Sequence, residues 1–114
     1  MTEIREYLTV GGVSPYGRWI RKLAKLDRQA ATRVILAVTR LSEGNTGKLK
    51  ALGPGLAEIR LDFGPGYRVY MGWDGPLLIL LLGGGTKKSQ VEDIAMARER
   101  WRDYRIRKRG DSCH

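Results

Sequence analysis

Between Leu56 and Leu82 the chain passes from alternating to continuous hydrophobicity. Glu58, Arg60 and Asp62 alternate with Ile59, Leu61 and Phe63, the period-two signature of a strand with one wet and one buried face. After Phe63-Gly64-Pro65-Gly66 the alternation resumes, with Arg68 and Tyr70 set against Tyr67, Val69, Met71 and Trp73. Leu77 to Leu82 is apolar at every position, as a strand covered on both faces requires. The Gly-Pro-Gly segment and Asp74-Gly75-Pro76 carry turn chemistry, so these strands are predicted to follow one another as an antiparallel meander. Gly83-Gly84-Gly85 is expected to break the last of them.

The flanks read as helices. Ile4 to Val10 is a short first strand ended by Gly11-Gly12. Ser14 and Pro15 form an N-cap and first-turn pair, followed by a stripe of Trp19, Ile20, Leu23 and Leu26. Asp27 caps a second helix with the stripe Ala31, Val34, Ile35, Val38 and Leu41, closed by Gly44. Asn45 to Gly55 is Gly-rich and polar and reads as a loop at the mouth of the sheet. Ser89 with Glu92 is a capping box opening a C-terminal helix through Val91, Ile94, Ala95 and Trp101. Past about Tyr104 the stripe is lost and fraying is expected.

The predicted order is β-α-α-β-β-β-α, an α+β fold in which an antiparallel sheet is packed by an N-terminal helical hairpin and a C-terminal helix. The helices should cover the face holding Ile59, Leu61, Val69 and Met71, leaving Glu58, Arg60, Arg68 and Tyr70 uncovered. Trp19, Trp73 and Trp101 read as core. One domain is expected over residues 1–109, with 110–114 a disordered tail.

Charge narrows the partners. Twenty-one Lys and Arg against 12 Asp and Glu give a net +9, which favours a polyanion such as nucleic acid or an acidic protein. One cysteine, Cys113, and one histidine, His114, build neither an internal disulfide nor a zinc site. The opening MTEIREYLTV lacks the apolar core of a secretory signal, and no apolar run reaches membrane length. A cytoplasmic protein without membrane contact is expected.

The exposed arginines Arg60 and Arg68 then gain company. Lys48 and Lys50 precede the sheet, while Lys87 and Lys88 open the last helix, whose N–H groups attract phosphate. Tyr70, and with it Tyr67, can stack a base or donate a proton. RNA cleavage by attack of a ribose 2′-hydroxyl on its own phosphate needs a base, positive donors at the phosphate and an acid, with no metal or cofactor. Arginine supplies bidentate donors, Glu58 is the well-placed carboxylate base, and Tyr70 is the candidate acid. His114, on the tail, is set aside. The rival reading is an ordinary solvated sheet face with loop lysines, and for Arg98 to Arg109 a solvated helix end or a surface for DNA or an acidic partner.

The segment Glu58 to Ala97, above all GPGYRVY and LLGGGTKKSQVEDI, resembles the addiction-module killer proteins of the RelE/ParE superfamily, in a HigB-like branch. The likeness covers Tyr16 to Tyr104. It implies a microbial-ribonuclease-like fold and a toxin of a bacterial type II toxin–antitoxin system that cleaves mRNA on the ribosome. A helix-turn-helix antitoxin would neutralise it, and the pair would reach operator DNA through that antitoxin. By position Arg68 matches the arginine on the scissile phosphate, Arg60 lies near a catalytic lysine, and Lys87 or Lys88 takes the place of a further basic residue. Glu58 stands where the better-known pattern has a lysine, and Tyr104 is the candidate for its C-terminal tyrosine. The alternatives are a gyrase inhibitor of the ParE type that acts by protein contact, and a catalytically inactive module that binds antitoxin or nucleic acid.

Overall fold

In the computed structural model, which describes residues 2–46 and 48–112, the capping residues act where the sequence puts them. Ser14 Oγ accepts from the Gly17 N–H at 2.9 Å, and Asp27 Oδ1 accepts from the Ala30 N–H at 3.1 Å. These caps start α1 (Pro15–Leu26) and α2 (Arg28–Ser42). Gly44, at a φ of +94° that favours glycine, ends the hairpin. Ala31, Val34, Val38 and Leu41 are buried as predicted, whereas Ile35 and Leu26 stand exposed at the margin of their stripes.

Five strands form one sheet in the order β1-β5-β4-β3-β2: β1 (Glu3–Glu6), β2 (Leu49–Gly53), β3 (Leu56–Leu61), β4 (Tyr67–Asp74) and β5 (Leu78–Thr86). A 3-10 turn (Lys87–Ser89) then leads into α3 (Gln90–Ser112). The α+β class holds, but the sheet is mixed. The crossover through α1 and α2 returns the chain so that β5 lies parallel to β1, while the other pairs are antiparallel. The segment read as a loop also contains β2, which pairs Leu49 with Ile59 and Lys50 with Glu58. Without it the outer N–H and C=O groups of β3 would lack partners.

The apolar run of β5 is sandwiched as expected. Ile79 and Leu81 join the core beneath the helical hairpin, with Val34, Ile59, Val69 and Met71. Leu80 and Leu82 join a second core beneath α3, with Leu56, Tyr70, Ala97 and Trp101. Each fully buried aliphatic side chain stabilises the fold by about 1.5–3 kcal/mol relative to exposure.

Three expectations are corrected here. The glycine run does not break β5, which continues through Gly83, Gly84 and Gly85 to Thr86. A β-carbon at Gly84 would overlap the Trp19 indole, and one at Gly85 the Asp93 carboxylate, so the missing side chains admit α1 on one face and α3 on the other. The face expected to be open is covered by α3. And α3 does not fray after Tyr104: Tyr104 donates to Asp74 at 2.5 Å, Lys108 pairs with Asp74 at 2.6 Å, and Arg107 donates to the Leu8 carbonyl at 2.6 Å. The helix therefore runs into the segment expected as a tail, whose last residues, Cys113 and His114, lie outside the described residues. At its start Ser89 turns back to Thr86 instead of pairing with Glu92, accepting from the Thr86 N–H at 3.5 Å. No helix among the described residues is long and apolar enough to cross a membrane.

Two tyrosines, Tyr16 buried and Tyr104 half-buried, give this packing a pH signature. Tyr16 is pushed up to about 12 by burial and then by the charge of Glu6. Tyr104 is also pushed up to about 12, by burial first and then by its bond to Asp74. A folded-state value above the unfolded 10.0 means stability that is complete below pH 10 and lost as pH rises toward about 12. Tyrosinate absorbance of the native chain is expected to lag that of the urea-unfolded chain, with Tyr16→Phe and Tyr104→Phe each removing part of the lag. Coincident titrations would contradict the packing of both hydroxyls.

Candidate functional site

The strand register assembles a polar cluster beneath the first turn of α3. On β3 and β4, Glu58 lies opposite Tyr70 and Arg60 opposite Arg68, while Lys50 of β2 lies opposite Glu58. Alternation puts these side chains on one face, as predicted. That face is interior, however. Glu58 is 0% exposed, Tyr70 1% and Arg68 5%.

A carboxylate taken wholly out of water costs several kcal/mol unless it is paired and hydrogen-bonded. Glu58 is both: Arg60 Nε donates at 2.9 Å, and Gln90 Nε2 donates to its two oxygens at 3.2 and 3.3 Å. The Arg60 side chain is 39% exposed, so it runs from the buried carboxylate to the surface. The pair forms along one strand, between residues two apart.

Arg68 and Tyr70 are less well provided for. Arg68 Nη1 donates to the Tyr67 carbonyl at a long 3.4 Å, and its Nε has no partner. The Tyr70 hydroxyl also has none. Two strong donors are thus held unsatisfied within the protein, next to a fixed carboxylate, where native structures rarely leave polar groups unpaired. Burial chiefly, and then the charges of Glu58 and Asp93, push Tyr70 well above the ordinary phenol range against the opposing pull of Arg68 and Arg60. Tyr70 consequently stays protonated. It serves better as a hydrogen-bond donor to an anion than as a ready proton source.

The other candidates fall around this cluster or away from it. Lys87 and Lys88 are exposed on the 3-10 turn, and the Lys87 N–H donates to the Gly66 carbonyl at 2.8 Å. A β-carbon on Gly66 would lie 3.4 Å from Lys87 and 3.8 Å from Arg68 Nη1, so both basic residues border that turn. Lys48 and Lys50 are exposed at the β2 edge. Tyr67 is corrected: it faces the hairpin core, with ring centroids 6.4 Å from Trp19 and 5.2 Å from Phe63, and offers no free face for a base. Tyr104 lies at the far end of the sheet, stacked on Trp101 and bonded to Asp74.

Gln90 and Asp93 are the members that sequence reasoning missed. Asp93 accepts from Ser89 Oγ at 2.5 Å and sits over Gly85. Their spacing of three places both on one helix face, and the glycine run was the sign that a helix approaches β5 closely. Among the described residues no three His, Cys, Asp or Glu side chains gather as a metal-binding group.

No family model matches this chain, and no solved structure matches it. Over 83 residues, 73% of this chain, it is 37% identical to a protein of Haemophilus influenzae described as "Uncharacterized protein", 82% of whose length is covered. At that identity and coverage the two share a family, and this chain belongs to the family of the Haemophilus influenzae protein.

Proposed function

We propose that this chain is a HigB-like toxin of the RelE/ParE superfamily, with a RelE-like ribonuclease fold, that cleaves mRNA on the ribosome within a type II toxin–antitoxin system. The observation that carries the reading is the pair of unsatisfied donors, Arg68 Nε and Tyr70 OH, beside the Glu58 carboxylate. Donors held in a water-poor site act most strongly on a developing charge.

In this reading Glu58, oriented by Arg60 and Gln90, takes the proton of the ribose 2′-hydroxyl. The 2′-oxygen bonds to the adjacent phosphorus and the bond to the 5′-oxygen breaks, leaving a cyclic phosphate and a 5′-hydroxyl that takes its proton from water. Arg68 and Tyr70 hold the crowded phosphate, and Lys87 and Lys88 add charge at the rim. Because three members lie under the Gln90 turn, the scissile phosphate reaches them only when that turn lifts. A helix-turn-helix antitoxin would be its partner, and would carry the pair to operator DNA.

The same burial favours the second reading, a gyrase inhibitor that works by protein contact. Expression without the neighbouring gene, followed by primer extension on ribosome-associated mRNA, separates the two. Discrete cuts and growth arrest are expected, both lost in Arg68→Lys, which keeps the charge but not the planar fork. Because Arg68 is buried, the lysine variant, with its circular dichroism checked against the parent, is a cleaner choice than Arg68→Ala. DNA-damage signalling without cuts would support gyrase, and neither effect would overturn both readings.

A further inference from the structure

On the opposite face of the sheet, α2 and the β2–β3 edge enclose a groove of about 310 Å³. Its floor is apolar, with Leu36 and Ile59, and its walls carry Arg33, Arg40 and Lys48 against the one carboxylate of Asp62. The Arg33 guanidinium lies over the Phe63 ring, 3.7 Å from its centroid, which closes one end. None of the three cations is in an ion pair among the described residues. Arg33 and Arg40, seven residues apart on one helix, are separated by about 10 Å along its axis.

We infer that this groove binds single-stranded RNA as a second subsite, with phosphates on Arg40 and Lys48 and a base on the apolar floor against the Arg33–Phe63 stack. The inference rests on the proposed ribonuclease reading and extends its substrate path. A basic wall tracks a nucleic-acid backbone, and an apolar floor with an aromatic and guanidinium plane accepts any base face. An acidic peptide would use the cations but has no need of the planar stack. The groove is also connected to the cluster. Lys48, on the turn that opens β2, lines it, while Lys50, two residues along, lies opposite Glu58 in the strand register. A strand crossing that edge would pass from subsite to cluster.

The test is binding of an uncleavable 2′-O-methyl RNA strand to the full chain, followed by fluorescence anisotropy across a salt series. Arg33→Glu/Arg40→Glu is expected to weaken binding at least tenfold, through the lost base stack as well as the lost contact at Arg40, and to lower the salt slope by about 0.7, the value for one lost phosphate contact on a single strand. Lys48→Glu, on an exposed turn outside α2, should weaken binding in the same direction and keeps the test open should the double variant misfold. Unchanged affinity and slope in both charge reversals would overturn the inference, as would displacement of the RNA by polyglutamate at equal charge. The strand cannot be cut, so a failure of the proposed cleavage chemistry shows in cells and not in this measurement.

Discussion

Arg60→Met is expected to destabilise the folded chain by about 2–3 kcal/mol, and adding Glu58→Gln to it to restore most of that loss. The reason is that Arg60→Met leaves the fully buried Glu58 carboxylate with Gln90 alone, and breaking a buried pair by removing one partner costs about 3–5 kcal/mol. The lower figure follows from the exposed outer part of Arg60, where water replaces some of the lost contact. Glu58→Gln alone should cost only about 1 kcal/mol, since a neutral amide needs no counter-charge and the arginine end can turn to solvent. Urea unfolding of the two single variants and the double variant forms a cycle, and the cross-term is its informative quantity. Activity separates from stability in the same set. If Glu58 takes the 2′-proton, the refolded double variant stays silent in the mRNA assay. A double variant as active as the parent would make Glu58 and Arg60 purely structural.

That cycle bears on what the sequence could reveal. The alternation of Glu58, Arg60, Arg68 and Tyr70 correctly placed four side chains on one face of two paired strands. It could not show whether that face meets water. A period-two polar pattern marks a face that can satisfy charge, and Gln90 and Arg60 satisfy Glu58 as water would. The helix that covers it was also hard to see. Its inward line runs through Ala97 and Trp101 to Tyr104, but arginines surround that line and Val91, counted in the predicted stripe, is 83% exposed. Caps and turns were legible because Ser14, Asp27 and Gly44 act on their own backbone neighbourhood. The parallel β1 and the short β2 depend on partners distant in the chain, and local chemistry does not specify those.

The covering of the cluster by α3 is itself open to a strong test at Gly72. A β-carbon there would overlap the six-membered ring of Trp101, the residue that seats α3 on β4. Trp101 is 8% exposed and packed on both sides, so it has nowhere to retreat, and Gly72→Ala is expected to cost about 3 kcal/mol, the upper end for an overfilled core. Gly84→Ala meets Trp19 with the same overlap on the other face. Trp19 is only partly buried and can shift outward, so the cost there should be nearer 1 kcal/mol. Gly110 supplies the control: on the exposed last turns of α3 with nothing within 4 Å of an added β-carbon, Gly110→Ala should be neutral or stabilise by up to about 0.5–1 kcal/mol. The clash also predicts coupling. Trp101→Leu costs about 3 kcal/mol alone, yet in the Gly72→Ala background it removes the overlap, so the double variant should fall short of the sum by 1 kcal/mol or more, on the order of measured couplings between touching residues. Denaturant midpoints at constant slope read all five values. If Gly72→Ala cost no more than Gly110→Ala, α3 would not rest on β4 as described, and Glu58, Arg68 and Tyr70 would lie open to solvent and to substrate without any movement of the Gln90 turn.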